Sequence, residues 1–282
     1  MLPAQSRLPP VPSAPARPVA AAHGIVARMV AMLEIERVVR TFGAVRAVDG
    51  VSLSVARGTI TGLIGPNGAG KTTLFNTVAG AIAPQTGSIR LDGARIDGLR
   101  ADQVFARGLG RTFQIPRPLG NLTVLENMLL APRGQSGERV WNAWFARGRI
   151  RAEDAAHRDK ARSLLSFVGL AAHADQPARV LSGGQQKLLE LARILMVDPA
   201  IILLDEPAAG VNPVLLESLL GRIVELHRRG VTFLLIEHNM DVVMRLCDPV
   251  VVMAQGRIVT QGTPDAVRAD PRVIDAYLGD TI

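Results

Sequence analysis

Apolar and polar positions alternate from Met32 to Val38, where Leu33, Ile35 and Val38 are set among Glu34, Glu36 and Arg37, the period of a half-buried strand. Further strands are predicted over residues 51–55, 59–64 and 88–91, the last bounded by Gly87 and Gly93, and together they imply an antiparallel edge. Beyond it, helical patterns alternate with short, continuously apolar runs. Residues 201–204 and 231–236 are such runs, as expected of strands buried on both faces in a parallel sheet. Between them Leu219, Leu220, Ile223, Val224 and Leu226 share one face of a helix predicted over 213–229 and closed by Gly230, which makes a βαβ unit. Residues 250–253 and 257–260 flank Ala254-Gln255-Gly256 and predict a hairpin. The pattern is that of an α/β fold.

Composition narrows the class. A chain of 282 residues supports one large α/β domain with a smaller lobe. Although 48% of it is hydrophobic, no apolar run approaches the roughly 18 residues that would cross a bilayer. The single cysteine, Cys247, excludes an internal disulfide, and no Cys/His cluster offers a zinc site, so a reducing compartment fits. The net charge of +7 comes with only three lysines, Lys71, Lys160 and Lys187, an arginine excess that points to codon bias and not to a nucleic-acid partner. Residues 1–20 hold six prolines among alanines and are expected to stay outside the fold, in a disordered leader spanning 1–31. Arg28 interrupts the apolar stretch after it, which argues against a secretory signal, and Met32 is an alternative initiator.

Directly after the strand predicted over 59–64 stand Gly65-Pro66-Asn67-Gly68-Ala69-Gly70-Lys71-Thr72-Thr73. This is the P-loop pattern in its strand–loop–helix context. A backbone wrapped round phosphate oxygens needs glycine, because larger side chains would block the N–H groups aimed at them. The helix predicted from Lys71 adds its dipole. Lys71 is expected to neutralise the β- and γ-phosphates, and the Thr72 hydroxyl to complete a Mg2+ shell.

The loop alone does not separate an ATPase from a GTPase or a small-molecule kinase. Leu181-Ser182-Gly183-Gly184-Gln185-Gln186-Lys187 does, because it resembles the signature motif of ATP-binding cassette (ABC) ATPases. Ser182 is a good N-cap, Gly183 and Gly184 are expected to leave backbone N–H groups open, and a helix is expected from Gln185 onward. In the family such an N-terminus takes the γ-phosphate of ATP held by the opposite subunit, which implies a head-to-tail dimer. Asp205-Glu206-Pro207 after the strand at 201–204 resembles the Walker B element, with Asp205 for Mg2+ and Glu206 as general base. Gln114 matches the Q-loop glutamine, which contacts Mg2+. His238 matches the switch histidine at the γ-phosphate, and Phe42, placed just ahead of the first sheet, matches the aromatic that stacks on adenine.

The resemblance covers roughly residues 32–279. It implies a RecA-like P-loop NTPase core with an antiparallel β subdomain and a helical subdomain inserted at about 115–195. Asn212 in the D-loop, Arg111-Thr112-Phe113-Gln114, Leu122–Asn127 and the end from Gly256 to Leu278 are similar to the ATP-binding subunits of branched-chain amino acid importers. Asn239 departs from that branch, which often carries aspartate there. The implied partners are transmembrane permease subunits, a second ATP-binding subunit of the same or a related chain and, indirectly, a periplasmic solute-binding protein, with the chain peripheral on the cytoplasmic face of the inner membrane. Rival readings are another cargo, such as urea, amides, aromatic acids or lipopolysaccharide, or a soluble ABC protein outside transport. The insert at 131–159, with Trp141, Trp144 and Phe145, either packs on the helical lobe or faces the membrane side.

Overall fold

The computed structural model describes residues 31–112, 118–132 and 147–278. Four strands, β1 (Ala31–Phe42), β2 (Val45–Ala56), β4 (Thr86–Leu91) and β5 (Ala94–Arg95), form an antiparallel sheet in the order β2-β1-β4-β5. The antiparallel edge is therefore longer than the alternation suggested, because β1 runs on to Phe42 through register shifts that the period-2 pattern does not reveal.

The second sheet holds six strands: β3 (Ile60–Ile64), β6 (Leu109–Arg111), β7 (Ile201–Asp205), β8 (Thr232–Ile236), β9 (Val250–Ala254) and β10 (Arg257–Gly262). Their order is β10-β9-β3-β8-β7-β6, with β9, β3, β8, β7 and β6 parallel and β10 antiparallel at the edge. Each central strand buries both faces. Leu203, Leu234, Ile236, Val251 and Met253 point into a core shared with the antiparallel sheet and Phe75, while Ile202, Leu204, Phe233, Leu235 and Val252 point into a second core under the helices. That is why these segments read as unbroken apolar runs.

Nine helices are described: α1 (Lys71–Val78), α2 (Ala101–Ala106), α3 (Val124–Leu129), α4 (Arg147–Phe167), α5 (Gly183–Leu195), α6 (Pro213–Arg228), α7 (Met240–Leu246), α8 (Pro264–Ala269) and α9 (Pro271–Leu278). Thr123 and Glu126 start α3 with a reciprocal capping box, at 3.0 and 2.7 Å. Helix α5 buries Leu188, Leu189, Leu191 and Ala192 against the second core and so ties α3 and α4 to the sheet. Cys247 lies buried there, its thiol pushed up to about 12 by desolvation. Among the described residues no helix is long and apolar enough to cross a membrane.

Candidate functional site

Strands β3, β8, β7 and β6 are neighbours and parallel, so their C-terminal ends converge on one edge of the sheet. The loop after β3 begins at Gly65, whose φ is +149° and whose added Cβ would lie 1.9 Å from the Met253 carbonyl oxygen. Gly70, at φ +95°, leaves the same small clearance, 2.0 Å from the Ala47 oxygen. Both positions exclude side chains by contact with backbone. Gly68 has the left-handed φ of +77° with open space around it. Pro66, Asn67 and Ala69 complete the loop, and Thr72 is exposed with half-buried Thr73 on the first turn of α1. Lys71 is buried, and its Nζ donates to the carbonyls of Gly65 at 2.7 Å and Pro66 at 2.8 Å. Desolvation lowers its pKa while the charges of Glu206 and Asp205 pull it back up. On α9, burial raises the pKa of the Tyr277 phenol while the nearby Gly65 backbone lowers it.

At the end of β7, Asp205 is 3% exposed and pairs with Arg111 of β6 at 3.2 Å. Arg111 also donates to Asn76 Oδ1 at 2.6 Å. Burial nevertheless raises the Asp205 pKa, against the pull of Arg111. Its second oxygen, Oδ1, is buried and has no hydrogen-bond partner, a position that chemistry rarely leaves unfilled. Glu206 follows in the left-handed region at φ +49°, a conformation that costs a non-glycine residue ~1–3 kcal/mol and persists only where neighbours hold it. Its Oε1 lies 3.0 Å from His238 Nε2, which arrives from the adjacent end of β8. The P-loop, Asp205, Glu206 and His238 thus meet at one sheet edge although 174 positions separate Gly65 from Asn239 after the histidine.

The residues Ser182, Gly183 and Gly184 sit elsewhere, at the start of α5. Ser182 and Gln185 form a capping box, with Ser182 Oγ accepting from the Gln185 N–H at 3.4 Å and Gln185 Oε1 accepting from the Ser182 N–H at 2.9 Å. The helix begins at Gly183, two residues before the expected start. The two glycines also differ in purpose. Gly183 faces open space, but a Cβ on Gly184 would stand 2.9 Å from Leu215 Cδ1 and 3.1 Å from Val211 Cγ1. Gly184 therefore lies close against the side chains of the segment after Glu206, where a Cβ would make Leu215 and Val211 give way.

Two residues that the motifs did not single out hold this site in shape. The Lys187 ammonium donates to the carbonyls of Glu206, Pro207 and Ala209 at 2.7, 3.2 and 2.7 Å. Buried Glu237 accepts the N–H groups of Ala208 at 2.7 Å, His238 at 2.9 Å and Asn239 at 3.1 Å, which ties the ends of β7 and β8 together. A carboxylate directly after a continuous apolar strand was the available signal, since such a group needs donors close by. Asn212 and Asn239 have local work as well: each caps a helix, accepting from Leu215 at 2.9 Å and from Asp241 at 3.0 Å. Phe42 ends β1 instead of preceding the sheet, is 45% exposed, and lies 5.0 Å beneath the Arg40 guanidinium. Gln114, Trp141, Trp144 and Phe145 lie outside the described residues.

Known proteins match this arrangement. The ABC transporter family model matches residues 48–209, and a branched-chain amino acid ATP-binding cassette transporter model matches 257–281. The chain is 42% identical over 248 residues to a probable branched-chain amino acid transport ATP-binding protein LivG of Archaeoglobus fulgidus, across 88% of this chain and 95% of that one. It is 40% identical to the high-affinity branched-chain amino acid transport ATP-binding protein BraF of Pseudomonas aeruginosa, covering 88% and 98%. The crystal structure of the ADP conformation of MJ1267, an ATP-binding cassette of an ABC transporter, superposes with a TM-score of 0.76 at 39% identity, covering 88% of this chain and 99% of that one. With its phosphate loop, strand-end carboxylates and signature helix carried on that fold, the chain belongs to the ABC transporter family as an ATP-binding, ATP-hydrolysing subunit.

Proposed function

We propose that this ATPase is one half of a head-to-tail dimer that binds two ATP molecules between its subunits and drives a membrane importer for branched-chain amino acids or related small solutes. In each site the N–H groups of Asn67–Thr73 and the Lys71 ammonium grip the β- and γ-phosphates, for which Lys71 leaves the carbonyls of Gly65 and Pro66. Phe42, freed from Arg40, stacks on adenine. The Ser182–Gly184 cap of the partner subunit closes on the γ-phosphate. Glu206 takes the proton of the attacking water, and His238, within hydrogen-bond reach of its carboxylate, orients it and contacts the γ-phosphate.

The donor set fits Mg2+: Asp205 presents the unpartnered buried oxygen, and Thr72 and Gln114 are the remaining protein groups proposed for it. Bound there, the ion would neutralise charge developing on the phosphates. The observation that carries the whole reading is the convergence of Lys71, Asp205, Glu206 and His238 on one strand-end edge beside glycines that admit no Cβ.

Closure on two ATP molecules becomes transport through permease subunits. A groove of about 460 Å³ between α2, β6 and α5, lined by Ala101, Phe105, Leu109, Leu130 and Ile194, is the proposed seat for a cytoplasmic segment of the permease. The chain would thereby be peripheral on the cytoplasmic face, with a periplasmic solute-binding protein delivering cargo on the other side. Relatives named for branched-chain amino acid transport and the match at 257–281 support this cargo. The test is reconstitution of the chain with its co-purifying membrane partners in liposomes. Leucine, isoleucine or valine on the solute-binding protein should stimulate ATP hydrolysis, whereas stimulation by urea or amides alone would reassign the cargo. ATP without dimerisation of the Glu206→Gln protein in sedimentation would overturn the clamp.

A further inference from the structure

Lys187 stands on α5 little more than one turn beyond the Ser182 cap, and it is buried. An ammonium has three N–H donors and no acceptor, and here all three donors have partners, the carbonyls of Glu206, Pro207 and Ala209. A neutral amine could serve only two of them. Burial lowers the lysine pKa, and the carboxylates of Glu237, Glu190, Glu206 and Asp205 counter it. The turn so gripped is the one that carries Glu206 at φ +49°. The same helix touches the following segment again where Gly184 packs against the Val211 and Leu215 side chains. The start of α5 and residues 206–215 are therefore joined at two points, by the Lys187 ammonium and by Gly184.

We propose that Lys187 is a positioning residue that locks the Glu206 turn of its own chain to the signature helix, so that the helix gripping the partner's ATP carries the base of its own site with it. This rests on the head-to-tail dimer. It assigns to Lys187 a role in hydrolysis without contact to nucleotide.

Lys187→Met keeps the length of the side chain and removes the three donors. It should lower kcat at least about tenfold while KM for ATP stays within about threefold. Lys187→Gln, which retains a donor, serves as the second variant should the methionine protein fold poorly, with melting and nucleotide binding checked for both. A fall in ATP affinity that matches the fall in kcat, or unchanged kcat in both variants, would refute the role.

Mixed dimers assign the site. When one copy carries Lys187→Met and the other Glu206→Gln, the sole intact base lies over the missing ammonium, and activity should fall at least about tenfold below a wild-type/Glu206→Gln dimer. When one copy carries both substitutions and the other is wild type, the activity should equal that reference. Equal losses in the two pairings overturn the proposal. Replacing Lys187→Met by Ser182→Arg in the second pairing checks the dimer itself, because it should silence the wild-type copy's site. If it does and the Lys187 pairings fail, this inference alone falls; if it does not, the dimer falls first.

Discussion

Two glycine-rich segments in this chain are built on opposite terms. The P-loop is finished within one subunit: β3 and α1 fix its ends, Met253 and Ala47 backbone atoms wall in Gly65 and Gly70, and Lys71 is already folded over it. The signature cap has a completed capping box but stands exposed at Ser182 and Gly183, with only Gly184 packed. One is a preorganised cradle and the other stands open. The difference teaches that a glycine-rich motif has no single physical meaning. In the cradle glycine answers to backbone conformation and backbone crowding, and in the cap it answers to side-chain packing at Gly184 while Gly183 faces open space, as the proposed partner contact needs.

The comparison can be broken at the cradle first. Glu206→Gln should cut phosphate release by about 100- to 10,000-fold while leaving equilibrium ATP binding intact, because the proposed base would act on water and not on the nucleotide. Gly70→Ala should destabilise the fold by ~2 kcal/mol or more, since both its φ of +95° and the Ala47 oxygen oppose a Cβ, and ATP binding should be lost with it in calorimetry.

Gly184→Ala should be gentler, roughly 1 kcal/mol in Tm-derived stability, because the atoms it meets first belong to the Leu215 and Val211 side chains, which can turn aside. Its ATPase loss should exceed its loss of monomer ATP binding. Gly183→Ala should leave stability unchanged or raise it by about 0.5–1 kcal/mol, as expected of alanine replacing an unhindered helical glycine. A large Tm drop there would mean that the cap is as crowded as the cradle.

The last test concerns acid. Burial raises the Asp205 pKa above the ordinary 3.8, so on lowering the pH this carboxyl takes up its proton earlier than an exposed aspartate. Protonation removes the charge that a divalent ion needs, and apparent Mg2+ affinity measured with ATP should weaken on acidification while exposed aspartates are still ionised. By itself this group favours the folded state more as the pH falls and less as the pH rises through its folded pKa. Asp205→Asn should remove that pH dependence.

Much of this was legible in the chain because it is local. Strand–loop–helix punctuation round 59–73, the apolar run ending in Asp205-Glu206, and Ser182 three residues ahead of Gln185 each express a period, a cap or a turn among near neighbours in the chain. The roles of Lys187 and Glu237 are not legible in this way, because their partners are remote or are backbone atoms, which carry no letter in the sequence. The same holds for the Arg111–Asp205 pair, 94 positions apart and made by β6 and β7 lying side by side.

What the sequence by itself determined, then, was the alternation of elements, the phosphate-seeking glycines and the two candidate carboxylates, since local sterics, capping and hydrophobic period depend on near neighbours. Only the tertiary structure decided that four parallel strand ends share one edge, that Gly184 packs against Val211 and Leu215, and that a signature-helix lysine grips the turn carrying Glu206. Those facts depend on strand order and on which backbone oxygens face which side chains, and distances across the fold arise only when both cores have closed.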